Sequence, residues 1–506
     1  MRGSVVESTE SRKHRLRWWT LIVLSVSVMT AGLQNTITNV ALPTLQEEFE
    51  ASATELQWFV NSYILVYAGF LLVMGAVGDK YGRAKWLNIG LVIFAIGSVA
   101  AAFVADGGSF IVTQVIMGFG AAVLTPATLA IIIDVFPKEE RARAIGIWAA
   151  LAGLGIGLGP LVGGALLEVF WYGSVFLINL PIVIGAIVAG RFLVPDSRND
   201  DAPPIDVRGA LLSFAAISAI VYALVAGPDQ GWLKPWVLAA LIGGAGLVIW
   251  FVRHEQTAAS PLLSMEFFRD RGFTAGAIAI SMTMFAAFAA IFLITQVLQI
   301  VQERSALEAG LIMTPLAFAL AAGSAVAPRL VEKHGARTVV VSGIVIMAVG
   351  MGFQGLWRVD STVGSVVLTT LVLAFGAGII LAPATERIMN TVPQSQSGVG
   401  SGLSIVTRQV GGAIGIAMLA SIQDAAYNRR IEDQLVGAPE EITQAATESV
   451  AGAHQVAVEI GGTEGAALIG TANEAFVDAM SVAVFIGAGF LLITAGIVFR
   501  LMRNVS

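Results

Sequence analysis

An all-α integral membrane protein is the fold class this sequence predicts, and three observations carry the prediction. The chain of 506 residues is 56% hydrophobic and only 13% charged, with a mean hydropathy of +0.80, well outside the range of soluble globular domains. Its apolar residues fall into long runs, each near the roughly 20 residues that a helix needs to cross the hydrocarbon core. No run alternates apolar and polar residues at period two, so a barrel is excluded. Backbone amides that find no water in lipid must bond within their own segment, which makes every run a helix.

Fourteen such runs can be marked. The first begins near Trp18, behind Arg12, Lys13, Arg15 and Arg17; from Thr20 to Leu42 it is too long for a secretory signal and reads as an uncleaved helix. The next five begin near Leu56, Trp86, Ser109, Ala144 and Ser174. Two stretches rich in proline and charge, 194–208 and 253–272, flank the seventh and eighth runs, which begin near Gly209 and Pro235, and read as linkers. The remaining runs begin near Phe273, Ala309, Thr338, Val363, Gly398 and Val477. An acidic, alanine-rich segment from Asp424 to Glu474 separates the last two, with helical stretches expected at 439–458 and 464–476. It reads either as a hairpin over the outer exit or as a hydrophilic linker.

Charge placement orients these helices. With a cytoplasmic N-terminus, most Lys and Arg fall on the inner side, among them Lys80, Arg83, Lys85, Lys138, Arg141, Arg143, Arg329, Lys333, Arg337 and Arg387. Only Lys234, Arg304, Arg358, Arg429 and Arg430 fall outside, where acids dominate. This is the positive-inside pattern, and it puts both termini in the cytoplasm. The net charge of -6 argues against a nucleic-acid partner. Several other chemistries are excluded by what the sequence lacks. There is no cysteine, hence no disulfide, thiolate metal site or cysteine nucleophile. The four histidines, at 14, 254, 334 and 454, all lie outside the runs, so no intramembrane metal site or catalytic triad is expected. No GxxxxGK[ST] phosphate loop occurs, so the chain has no ATPase of its own. No enzyme activity, cofactor or metal is expected.

An internal echo sets the domain plan. The stretch GAVGDKYGRAK, from Gly75 to Lys85, packs charges and turn-forming glycines into the short loop after the second run. PRLVEKHGAR, from Pro328 to Arg337, repeats the arrangement after the tenth, an offset of eight runs. The expected plan is a cytoplasmic tail 1–17, a six-helix bundle 18–193, linkers with two additional helices 194–272, a second six-helix bundle 273–501 that includes an extracellular loop 423–476, and a tail 502–506. Duplicated bundles of this kind rock about a site at mid-membrane.

These stretches resemble known motifs. GAVGDKYGRAK resembles the loop between helices two and three of the major facilitator superfamily; GIGLGPLVGG, Gly155 to Gly164, resembles the glycine-proline motif of its exporters; NTITNVALP, Asn35 to Pro43, is similar to the first helix of its fourteen-helix drug:proton antiporter subfamily. FLINLP, Phe176 to Pro181, and TRQVGGAIG, Thr407 to Gly415, extend the likeness over nearly the whole chain. The resemblance implies the major facilitator fold and proton-coupled export of amphiphilic drugs or natural products from a monomer in the cell membrane. It also implies a conformational latch at Gly75, Asp79, Gly82, Arg83 and Lys85, with Asp79 facing the N-terminus of the thirteenth helix near 397–402. The alternatives are that these charges only anchor topology, that the cargo is a lipid or lipid-like molecule, or that the protein is an uncoupled facilitator.

Each motif also has a physical reading. Asp79 would be stabilised by the partial positive charge of a helix N-terminus. Gly155, Gly159, Pro160, Gly163 and Gly164 permit close helix contact and a bend, hence a hinge in the fifth helix, or simple small-residue packing. Two positions depart from the subfamily: its aspartate in the first helix is Gln34 here, and its arginine in the fourth is Gln114. Losing both members of a facing pair is less costly than losing one, so the two amides are expected to meet. The expected cavity is then almost uncharged, with Gln34, Asn35, Thr38, Asn39, Asn61, Tyr63, Gln114, Asn179, Gln296 and Gln299 as polar lining and Met282, Met284, Phe285 and Phe288 as an adaptable wall. The candidates for a proton or charge relay are Asp134, Glu386 and Arg408. Arg408 would hold an anionic group, a carbonyl cluster or Asp134, or else would snorkel to the interface.

Overall fold

The computed structural model describes residues 2–195, 197, 205–435, 439, 442–443, 446–447 and 449–502. Among them the regular elements are helical: α1 (Arg2–Phe49), α2 (Ala53–Tyr81), α3 (Arg83–Phe103), α4 (Gly107–Val135), α5 (Lys138–Val169), the single turn α6 (Ser174–Leu177), α7 (Asn179–Leu193), α8 (Val207–Gln230), α9 (Pro235–Thr257), α10 (Arg271–Gln296), α11 (Ala306–His334), α12 (Ala336–Gln354), α13 (Val363–Thr391), α14 (Ser397–Gln434), α15 (Val450–Ile460) and α16 (Gly462–Leu501). Fourteen spans among the described residues are long and apolar enough to cross a membrane, α6 and α7 together making one of them.

Helix ends are set by local chemistry. Ser52 and Glu55 form a reciprocal capping box at the start of α2, as Ser305 and Glu308 do for α11, and Asp106 caps α4 through the Ser109 amide. Each satisfies amides that the first helical turn leaves unbonded. α2 and α11 stop at Gly82 (φ +108°) and Gly335 (φ +78°), and the next helix starts immediately. Positive φ is open to glycine at little steric cost, which lets a helix reverse direction in one residue.

Packing repeats with the offset of eight spans. α1 packs on α5, α2 on α4 and α3 on α4; α10 packs likewise on α14, α11 on α13 and α12 on α13. The crossing of α3 and α4 brings Gly90 and Gly120 together backbone to backbone, and that of α12 and α13 does the same with Gly343 and Gly376. Each pair forms a small-residue contact that a side chain would push apart. The buried apolar residues form two main clusters. One spans 21–186 with Met389, Ile405 and Val406 added; the other spans 251–502 with Leu72 added. The clusters meet mainly across α2 with α14 and α5 with α11, joined by α4 with α14 and α5 with α13. α8 and α9 pack on each other, and α8 lies against α2 and α14.

Several boundaries differ from the sequence expectation. α5 starts at Lys138 rather than near Ala144, and α16 starts at Gly462 rather than near Val477. α14 runs on to Gln434, so only the middle of the expected loop 423–476 lies outside long helices. Helices extend past the apolar window because charged residues are good helix formers once the backbone has left lipid. Parts of the expected linker 194–208, of the helical stretch 439–458 and of the tail 502–506 lie outside the described residues, as do Arg198 and Arg503.

Candidate transport site and bundle interface

The turn after α2 joins the two halves of the molecule at one end. Asp79, 4% exposed, accepts the Gly398 amide at 2.9 and 2.8 Å and the Val399 amide at 3.2 Å. These amides open α14, so the carboxylate caps the N-terminus of a helix from the other cluster. Arg83 donates to the same carboxylate at 2.8 and 2.7 Å. It also reaches the Gln394 carbonyl at 2.9 Å and lies 4.0 Å from Asp134. A Cβ at Gly75 would strike the Gly398 carbonyl, and one at Gly398 would strike the Gly75 carbonyl. Gly82 supplies the turn that brings Arg83 back over Asp79. Lys85 forms no ion pair among the described residues and is exposed. In the repeat, Glu332 holds the place matching Asp79 and is exposed, so among the described residues this contact occurs on one side of the pseudo-symmetry only.

α5 is a single helix with Pro160 inside it, and its glycines divide between two faces. Gly155, Gly159 and Gly163, at i, i+4 and i+8, meet Met29, Thr36 and Ile37 of α1. Gly153, Gly157 and Gly164 meet Leu320, Ala317 and Leu307 of α11, and Gly310 of α11 approaches Pro160. The motif therefore packs α5 within its own bundle and against the opposite one at once.

Between the two clusters lies a cavity of about 120 Å³ bounded by α1, α2, α4, α5, α10, α11, α13 and α14. Its polar lining is Asn35, Tyr67, Thr125, Trp148, Arg408 and Gln409; the rest is apolar, with Met284 and Phe288 contributing from α10. Of the ten residues expected to line it, Asn35 alone does. Gln34, Gln114 and Asn179 are buried inside the first cluster instead. Gln34 Nε2 donates to Gln114 Oε1 at 3.2 Å and to Thr38 Oγ1 at 2.9 Å, and Asn179 Nδ2 donates to Gln34 Oε1 at 3.5 Å. The two substituted positions do meet, but as a structural amide cluster behind the cavity wall. Tyr63 is buried, with its hydroxyl donating to the Ala31 carbonyl at 3.2 Å and its ring stacked on Tyr67. Asn39 and Gln299 are exposed, and Asn61 and Gln296 are half-buried away from the cavity. A helix places only one face toward any site, and polarity alone does not say which. Of the expected wall, Met282 and Phe285 pack into the second cluster rather than line the cavity.

The three relay candidates separate. Asp134 accepts from Gln394 Nε2 at 3.2 Å and lies at the Asp79 end with Glu386, which neighbours Arg141 and Asn390. Arg408 sits at the cavity, where Nη2 donates to Thr385 Oγ1 at 2.7 Å and the guanidinium stands 5.3 Å over the Trp148 ring. It does not pair with Asp134. The sequence reading missed Tyr67, Thr125, Trp148 and Gln409 as lining. The only available signal was the i, i+4 spacing of Tyr63 with Tyr67 and the position of Gln409 beside Arg408.

Fourteen apolar spans, two packed halves and a cavity between them are the architecture of a multi-pass membrane protein. The profile of the Major Facilitator Superfamily matches residues 24–416, and the chain belongs to that family, which makes it a transporter rather than an enzyme. It is 34% identical to the multidrug efflux pump LfrA of Mycolicibacterium smegmatis, over 98% of this chain and 99% of that one. It is 32% identical to the methyl viologen resistance protein SmvA of Salmonella typhimurium, over 96% and 99%. Its fold is similar to the crystal structure of the human organic anion transporter MFSD10, with a TM-score of 0.61 over 96% and 99% of the chains and 14% identity. At that identity the likeness bears on the fold alone.

Proposed function

We propose that this chain is a secondary-active exporter of amphiphilic small molecules in the plasma membrane, coupled to protons and acting as a monomer by alternating access. The observation that carries the reading is the cavity between the two halves, with Asp79 joining those halves at one end. The positive-inside pattern makes that end cytoplasmic, so the arrangement corresponds to a state shut toward the cytoplasm. Asp79, Arg83, Gly75 and Gly82 form the latch of that state, while Lys85 serves as a topological anchor. α5 is the element that slides or bends at Gly155, Gly159, Pro160, Gly163 and Gly164. Asp134 and Glu386, at the latched end, are the candidate proton carriers, because the cavity lining has no carboxylate. The names of LfrA and SmvA support export of drug-like cargo.

The test is transport in vesicles under an imposed pH gradient, comparing wild type with Glu386→Gln and Asp79→Asn. Gradient-driven movement of an amphiphilic dye that both substitutions reduce supports the reading. Movement that ignores the gradient in every version contradicts coupling. A second reading, a lipid-like cargo, is favoured by the largely apolar lining; flux of a labelled lipid in the same vesicles separates the two.

A further inference from the structure

Arg408 is the one charged side chain in the cavity lining. Its neighbours satisfy it only in part. Thr385 accepts from Nη2 at 2.7 Å and the Trp148 ring lies 5.3 Å away, while Nε is buried with no hydrogen-bond partner. The other polar groups of the lining, Asn35, Tyr67, Thr125 and Gln409, carry no negative charge at neutral pH. A half-buried guanidinium that faces the cavity with no carboxylate in the lining is a positive charge the protein compensates only in part. Pairing with a carboxylate or sulfonate would provide forked, charge-assisted hydrogen bonds. A cation entering the same cavity would meet like charge and no acceptor of full charge.

We propose that the cavity selects anionic amphiphiles, an aromatic or aliphatic body carrying a carboxylate or sulfonate, with Arg408 as the residue that binds the anionic group. The apolar walls, including Met284, Phe288 and Leu320, accommodate the body of the molecule. The neutral cluster of Gln34, Gln114 and Asn179 behind the wall fits this selection, since no acid there offsets Arg408. The proposal rests on the exporter reading for direction of movement but not for binding.

The test uses three probes with one body and different heads: 4-(1-naphthyl)butyrate, 4-(1-naphthyl)butanol and 4-(1-naphthyl)butyl-trimethylammonium. Binding is measured by calorimetry on the full chain in lipid nanodiscs, with empty nanodiscs subtracted, and pH-gradient-driven uptake is measured in vesicles. Wild type is expected to bind the butyrate at least about tenfold more tightly than the alcohol, the size of one hydrogen bond to a charged group, and the ammonium probe least. Arg408→Gln is expected to abolish the preference for butyrate over alcohol, and Arg408→Lys to keep its sign at reduced size. Asn35→Asp, which adds a carboxylate to the lining, is expected to raise ammonium binding, so the proposal stays testable should the Arg408 variants fail to fold. Equal binding of the three probes by wild type, or tighter binding of the ammonium probe, overturns it. A preference unchanged in Arg408→Gln overturns the assignment to Arg408. Arg408-dependent butyrate binding without gradient-driven uptake leaves the cavity inference standing and defeats the exporter reading; uptake of all three probes alike does the reverse.

Discussion

Asp79 joins Arg83 on its own chain segment to the first amides of α14, a helix of the other half. Asp79→Asn keeps the shape and removes the charge, weakening bonds that contribute about 1.5–3 kcal/mol each when one partner is ionised. The expected result is a shift of the access equilibrium toward the state open at that end, by about tenfold or more, read as faster labelling of a cysteine placed at Ser401, which is buried in this state. The chain has no cysteine of its own, so such labelling is free of background. Gln34 has a different role. Gln34→Leu leaves Gln114 Oε1 and Asn179 Nδ2 short of partners and should lower stability by about 1–3 kcal/mol, whereas Gln34→Leu with Gln114→Leu should lower it less than the single change does; thermal unfolding in one detergent decides this. The meeting of Gln34 and Gln114 was legible in the sequence from the paired loss of charge. Their burial behind the cavity was not, because the facing of a nearly all-apolar helix such as α4 leaves no polar stripe to read.

At the scale of the element, α5 is the clearest case of sequence spacing becoming geometry. Gly155, Gly159 and Gly163 seat α1, and Gly153, Gly157 and Gly164 seat α11. A larger residue on the first face should damage the bundle itself, and one on the second the contact between bundles. Gly159→Leu is therefore expected to destabilise by about 1–3 kcal/mol or prevent folding, while Gly157→Leu leaves expression and thermal stability closer to wild type and reduces transport. Equal loss of stability in both would remove the distinction between the faces. The existence of this glycine-rich helix, the turns at Gly82 and Gly335 and the fourteen spans were all legible, since each depends on local composition. The extension of α14 to Gln434 and the start of α16 at Gly462 were not, because helix beyond the lipid boundary carries no hydropathy signal.

At the scale of the molecule, the repeated packing at an offset of eight spans makes two halves that touch mainly through α2 with α14 and α5 with α11. The contact of Asp79, with Glu332 exposed at the matching place, breaks that symmetry, and on the proposed exporter reading it is what favours closure of that end. On the proposed exporter reading this contact opens and closes as the halves tilt. The most direct measurement is the distance distribution between spin labels at Tyr81→Cys and Ser395→Cys, both exposed positions beside the latch, in lipid with and without a pH gradient and bound cargo. The expected outcome is a short-distance population that gives way to a longer one under turnover conditions, and a larger longer-distance fraction in Asp79→Asn. A single unchanged distance in protein shown to transport would contradict it.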